Sequence, residues 1–261
     1  LPAREKESYS IQSVENALDV LEALCEESDD VRISRLSEKL NMNKTSVFRL
    51  LATLENRGYV EREQDSGKYR LGLSAYEIGQ KFLSRMGLLS KARPVMERLA
   101  RQCNEAIYLV VGRGENVLFF DLIDTPQQVK IVSLVGKRYP LPATSAGKIL
   151  LAHLPDEEIS LWRSHFQQKN QFFPTAEELQ TIRQQGTCVD RGTLGDGIAS
   201  LSAPLFGAGG KLPGSLCLVG PEFRLTPEPI ERDLLPLLKE GAQTISSKLG
   251  CFGPYLGRDP S

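Results

Sequence analysis

Residues 40–63 read LNMNKTSVFRLLATLENRGYVERE. At about 100° per residue, Val47, Leu50, Leu51 and Leu54 fall on one side of a helix, an apolar stripe that asks for a core. Thr45, Phe48, Arg49 and Ala52 fall on the other side. A helix that merely faces water has no use for Phe beside Arg, so this second face is expected to meet a partner. Asn43 is placed to cap the helix start, Gly58 to stop it, and Asn41 to take the left-handed conformation of a tight turn.

Upstream, Val14, Ala17, Leu18, Leu21 and Leu24 follow Ile11 at helical spacing, and Ile33, Leu36 and Leu40 line a second short helix for which Ser34 is the expected cap. Downstream, YVERE and KYRLGL read as two strands joined by the turn-rich QDSG. Three helices and a hairpin describe a winged helix-turn-helix, whose second motif helix lies in the major groove of DNA. Lys44 and Arg49 suit phosphate or guanine contacts, Thr45 and Ser46 can bond phosphates or base edges, and Phe48 and Ala52 can pack on thymine methyl groups. The helix start at Asn43 favours a phosphate, and Lys68 and Arg70 can hold the neighbouring backbone from the wing. Arg62 is a weaker candidate, flanked by Glu61 and Glu63. Two competing readings stand beside this one: an ordinary amphipathic helix with a solvated or packed second face, and a winged helix used for protein contacts.

Charge supports a local nucleic-acid surface. The 261-residue chain carries a net charge of only −1, yet residues 32–70 hold nine Lys/Arg against five Asp/Glu, while residues 15–30 hold seven acids and no base. With 41% apolar and 25% charged residues the chain has the composition of a globular protein, and its length fits two domains of ordinary size or one large one. The five cysteines are scattered, no CxxC occurs, and only His153 and His165 are available. A zinc cluster or disulfide framework is therefore not expected, which points to a reducing cytoplasm. No 18-residue apolar run and no signal-peptide pattern occur, so no membrane association is expected.

After Leu73 a helical connector carries Ile78 and Phe82, then Leu88, Leu89, Val95 and Leu99, with a break expected near Gly87. From Ala106 the chain changes to short strand-like runs, IYLVV, VLFFDLI and VKIVSLV. Helices are expected from Thr144 or Ser145, after Pro155 and over AEELQTIRQQG, strands over GIASLSAPLF and GSLCLVG, and a last helix after Pro229. Interleaved strands and helices describe an α/β sandwich. LPATSAGKILLA looks like a phosphate loop but fails the pattern, because Pro142 stands where Gly is needed and Ile149 where Ser or Thr is needed. The same stretch can hold a carboxylate, with hydroxyls on Thr144 and Ser145 and small Ala146 and Gly147 at an open helix start. From the residues alone, a plain capped helix with small residues for close packing is the stronger reading. No nucleophile elbow stands near either histidine, so no catalytic set, metal site or cofactor is assigned.

Residues 11–86 resemble the DNA-binding domain of the IclR family of bacterial transcription regulators, through ISRLSEKLNMNKTSVFRLLATLENRGYVERE and GKYRLG. The likeness continues through LPATSAGKILLA and GIASLSAPLF…GSLCLVGPEFRLT. It implies an α+β chain with a tail over 1–10, a winged helix-turn-helix over 11–72, a linker helix over 73–87, a GAF-like effector domain over 88–250 and a mobile tail over 251–261. It implies a homodimer or tetramer on a palindromic double-stranded DNA operator, a carboxylate effector, and repression more often than activation. Where the family turn usually has Gly, this chain has Asn41. The resemblance places the effector pocket at Thr144, Ser145 and Ala146, then at Asp190, Ser200, Cys217 and Val219. Glyoxylate-type members have small polar residues at the last two positions, so Cys217 and Val219 imply an effector with more apolar surface. The rival function is a redox-sensing or sulfur-reducing GAF-like protein whose Cys188 and Cys217 meet across the sheet.

Overall fold

The computed structural model describes residues 10–27, 29–85 and 87–251. The expected tails 1–10 and 251–261 lie outside the described residues except at Ser10 and Cys251. Cys251 corrects the second tail: it is buried, and its amide donates to the Ser246 carbonyl at 3.0 Å.

The chain divides into two compact units, residues 1–85 and 86–261. In the first, α1 (Gln12–Glu26), α2 (Ile33–Lys39) and α3 (Lys44–Asn56) precede a hairpin of β1 (Val60–Arg62) and β2 (Tyr69–Leu71), followed by α4 (Leu73–Arg85). Val20, Leu24, Leu36, Val47, Leu51, Leu54, Val60 and Tyr69 form its core. Asn41 takes φ +51° between α2 and α3, the conformation in which Asn replaces Gly at least cost. The expected cap on α2 is not formed: Ser34 lies inside the helix, and Arg32 precedes it with no side-chain cap. The hairpin pairs Glu61 with Arg70 and Arg62 with Tyr69, and Val31 bridges to Tyr69 from outside. Ser74 ties α4 to this unit, its hydroxyl donating to the Arg57 carbonyl at 3.0 Å.

The second unit opens with α5 (Gly87–Cys103), and the break expected near Gly87 falls at residue 86, outside the described residues. Then come β3 (Ala106–Arg113), β4 (Asn116–Ile123), β5 (Arg138–Pro140), α6 (Ser145–Ala152), α7 (Asp156–Gln168), α8 (Ala176–Gln185), β6 (Cys188–Arg191), β7 (Ile198–Leu205) and β8 (Gly214–Pro221). A short α9 (Pro227–Pro229) runs through a π-helical turn, Ile230–Leu234, into α10 (Leu235–Lys248). The strands form one antiparallel sheet in the order β5-β4-β3-β8-β7-β6. Strand alternation splits its residues between two cores. Ile107, Leu109, Leu201, Ala203 and Leu218 face α5 and α10, while Ala106, Tyr108, Val110, Cys217 and Val219 face α6 and α8.

VKIVSLV, expected as a strand, is instead an irregular strap within residues 124–137. Its inward residues are Ile131 and Leu134, and Val129, Val132 and Val135 point to solvent. That spacing of three cannot follow a pleat, which needs a spacing of two, and β4 instead pairs with β5.

Candidate nucleic-acid interface and effector pocket

On α3 the two stripes separate as their spacing requires. Val47 is fully buried, and the next residue, Phe48, is 49% exposed. Lys44, Thr45 and Arg49 are exposed on the same side, and Ser46 and Ala52 are half-buried. Asn43 is exposed but committed: its Oδ1 accepts the Ser46 amide at 2.8 Å, which fixes the helix start. In the wing Lys68 is half-buried, and Arg70 is held by Glu61 across the hairpin at 3.1 and 3.2 Å. Arg62 lies over the Tyr69 ring, 5.7 Å from its centroid. The two wing arginines are thus partly spent on the hairpin itself, and the cation-bearing face of α3 is the less encumbered surface.

In the second unit the sheet register assembles rows of side chains beneath α6. One row runs Asp190, Ser200, Val219, Ala106, and the next runs Cys188, Ser202, Cys217, Tyr108. Thr144 caps α6, its Oγ1 accepting the Gly147 amide at 3.1 Å, which leaves the Ser145 and Ala146 amides without an acceptor among the described residues. The Ser145 hydroxyl reaches down to Ser200 at 2.8 Å and Ser202 at 2.9 Å. Burial pushes the Cys217 thiol up to about 12, against the opposing pull of the Ser202 and Ser145 hydroxyls beside it. Asp190 is half-buried and accepts the Thr193 amide at 3.3 Å.

Five of the seven expected pocket residues, Ser145, Asp190, Ser200, Cys217 and Val219, are brought together by the sheet register and the Ser145 hydroxyl bonds. Thr144 and Ala146 join them through α6. Gly147 needs a different explanation from ligand access. A Cβ there would stand 1.8 Å from the Leu141 carbonyl oxygen, so its bare backbone seats the preceding turn. Two residues were not foreseen. Ser202 supplies a buried hydroxyl one row from Ser200, and the alternation in ASLSA signals it. Tyr108 adds a phenol that accepts the Leu134 amide at 3.3 Å and packs edge-on to Phe119.

The rival redox reading fails on register. Ser202 of β7 stands between Cys188 and Cys217, so the cysteines are two strand spacings apart, about 10 Å. A disulfide needs Cα atoms within about 7 Å. Burial also pushes the Cys188 thiol up to about 12, which suppresses the nucleophilic thiolate at neutral pH.

A winged helix followed by an antiparallel α/β sandwich with a polar cluster sealed beneath one helix defines a DNA-binding regulator of two domains. Residues 13–64 match the IclR helix-turn-helix domain and residues 80–247 match the bacterial transcriptional regulator IclR C-terminal domain. The chain belongs to the IclR family of transcriptional regulators. It is 30% identical over 253 residues to the HTH-type transcriptional regulator KdgR of Dickeya chrysanthemi, covering 94% of this chain and 82% of that one. It is 30% identical over 262 residues to the DNA-binding transcriptional repressor YiaJ of Escherichia coli (strain K12), covering 95% and 92%. The structure of Thermotoga maritima IclR superposes with a TM-score of 0.74 at 26% identity, over 93% of this chain and all of that one. No described helix is long and apolar enough to cross a membrane.

Proposed function

We propose that this regulator is an effector-responsive repressor that binds a roughly palindromic operator as a dimer or a tetramer. The observation that carries the reading is the exposed face of α3, with Lys44, Thr45, Phe48 and Arg49 around a capped helix start. Phe48 is too apolar to be left in water without a purpose, and thymine methyl groups are a fitting surface for it. Asn43, Lys44, Thr45, Ser46, Phe48 and Arg49 read or position the duplex, and Lys68 and Arg70 hold its backbone from the wing. A second copy of the chain covers Ile11, Val14 and Leu18 of α1 and Leu73, Tyr76 and Phe82 of α4, all exposed. Among the relatives, YiaJ is described as a repressor.

The effector is a carboxylate with an apolar body. Its carboxylate meets the Ser145 and Ala146 amides and the Ser200 and Ser202 hydroxyls, and its body lies against Val219, Tyr108 and Phe119. Ser202 offsets one of the hydroxyls missing at positions 217 and 219, so the pocket is polar at one end and aromatic at the other. An effector changes operator affinity by the ratio in which it binds the two arrangements of the protein.

Footprinting of the purified protein on its own genome supplies the operator, and fluorescence anisotropy on that duplex supplies the affinity. Arg49→Ala is expected to weaken operator binding by about 1–3 kcal/mol, and wild-type affinity is expected to fall steeply with salt as counterions are released. Salt-independent duplex binding, or an Arg49→Ala variant that binds as tightly as wild type, defeats the reading in favour of a protein-contact role.

A further inference from the structure

Glu105 precedes β3 and is 4% exposed, a burial that a carboxylate rarely tolerates unpaired. Arg224 follows β8 and meets it in a two-pronged pair, Nε to Oε1 at 2.5 Å and Nη2 to Oε2 at 2.9 Å. The third nitrogen, Nη1, donates to the Val129 carbonyl at 2.9 Å. Val129 lies in the strap, so the pair joins three segments distant in sequence. The carboxylate rests over Gly220, where a Cβ would stand 2.7 Å from Oε2. That close approach is built into the strand, and β8 carries the pocket residues Cys217 and Val219 just before it.

The strap then crosses to the pocket face. Its Leu134 amide bonds the Tyr108 hydroxyl, and Gly136 bonds the Phe119 carbonyl at 2.9 Å. Tyr108 is the register neighbour of Cys217. Thr125 fixes the strap's start through the Asn104 carbonyl at 2.6 Å. Across residues 126–133, among the described residues, the hydrogen bond that ties the strap to the rest of the unit is the one from Arg224 to Val129. Val132 on its outer side is 78% exposed, so nothing in this unit presses it down from above.

We propose that Glu105 and Arg224 are positioning residues that latch the 124–137 strap closed over the Tyr108–Cys217 end of the hydroxyl–thiol row, two strands from Cys188, and so set how fast a molecule reaches Cys217. That the molecule is an effector rests on the function proposed above; the latch does not. Glu105 fixes the guanidinium, the guanidinium fixes Val129, and Val129 fixes the reach of Ile131 and Leu134 over Tyr108. Loosening the latch raises the rate of entry and the rate of exit together. A pair that served only the fold would weaken every part of the unit alike.

The test uses the full chain and Cys217 as the reporter of access. Alkylation by N-ethylmaleimide is followed by peptide mapping, with buried Cys188 and Cys251 as internal controls and amide exchange at Leu134 and Gly136 as the second readout. Glu105→Gln, Arg224→Lys and Gly220→Ala are compared, the last displacing the carboxylate without changing any charge. Each is expected to speed Cys217 alkylation and strap exchange by about tenfold or more, with Cys188 and Cys251 unchanged. Equal acceleration of all three cysteines, faster Cys217 labelling without faster strap exchange, or no change in any variant overturns the latch. In a separate arm, benzoate is added to the wild type. Failure to protect Cys217 counts against the carboxylate-effector reading and leaves the latch standing.

Discussion

The two units of this chain carry their candidate functional residues on opposite sides of the same kind of boundary. In the DNA-binding unit the candidate contact residues turn away from the core: Phe48 and Arg49 project from α3 while Val47 and Leu51 bury. In the second unit the candidate effector residues turn inward, and Ser145, Ser200, Ser202 and Cys217 are almost wholly sealed. Changing the first set leaves the fold's contacts alone. Changing the second set disturbs the core that positions it, because a buried polar group that loses its partner is penalised in the folded state. Stability and function should therefore separate in the first unit and stay coupled in the second.

The contrast is broken most severely at Gly147, where Gly147→Ala drives a Cβ into the Leu141 carbonyl. A loss of about 3 kcal/mol is expected, against less than about 0.5 kcal/mol for Phe48→Ala on the exposed face; urea denaturation of both variants checks the pair. Comparable losses would erase the distinction. A middling effect is expected from Ser145→Ala, which strips Ser200 and Ser202 of their shared partner. It should destabilise by about 1–3 kcal/mol and also remove stabilisation by aromatic carboxylates in thermal-shift titrations, whereas operator affinity without ligand stays as in wild type. The smallest effect concerns pH. Burial holds the His153 imidazole below its ordinary value of 6.5, opposed by its bond to the Ile149 carbonyl. The unfolded chain takes up that proton first as pH falls, so stability declines through and below about pH 6.5 and is full above it. His153→Gln is expected to flatten that slope in denaturation curves taken from pH 8 to pH 5.

The same contrast explains what could be read from the sequence. The α3 face was legible because an outward Phe beside Arg breaks the apolar-in, polar-out rule, and the cap at Asn43 and the turn at Asn41 follow from local chemistry. Ser200 and Ser202 break no rule that one strand can show, since a serine in a buried strand has the same spacing whether it packs or binds. Their grouping depends on register with β6 and β8 and on α6 lying above them, which are long-range facts. The Cys188–Cys217 pairing failed for that reason: both residues face the same side, yet one intervening strand separates them. The strap failed differently. VKIVSLV has strand-forming residues, but its buried positions fit no pleat and its neighbouring edge was already taken by β5. Gly147 was read as making room for a ligand, and it makes room for a carbonyl.

Strand β7 is a wall shared by both cores of the second unit. Ser200 and Ser202 hang on one side of it, and Ala199, Leu201 and Ala203 hang on the other, bedded among α5 and α10. Because these side chains alternate on a single backbone, a guest that wedges the two serines apart must also tilt the leucine between them. Occupancy on the α6 side would thereby press on α10, which packs against β7, and through α10 on α5, the helix with which this unit begins.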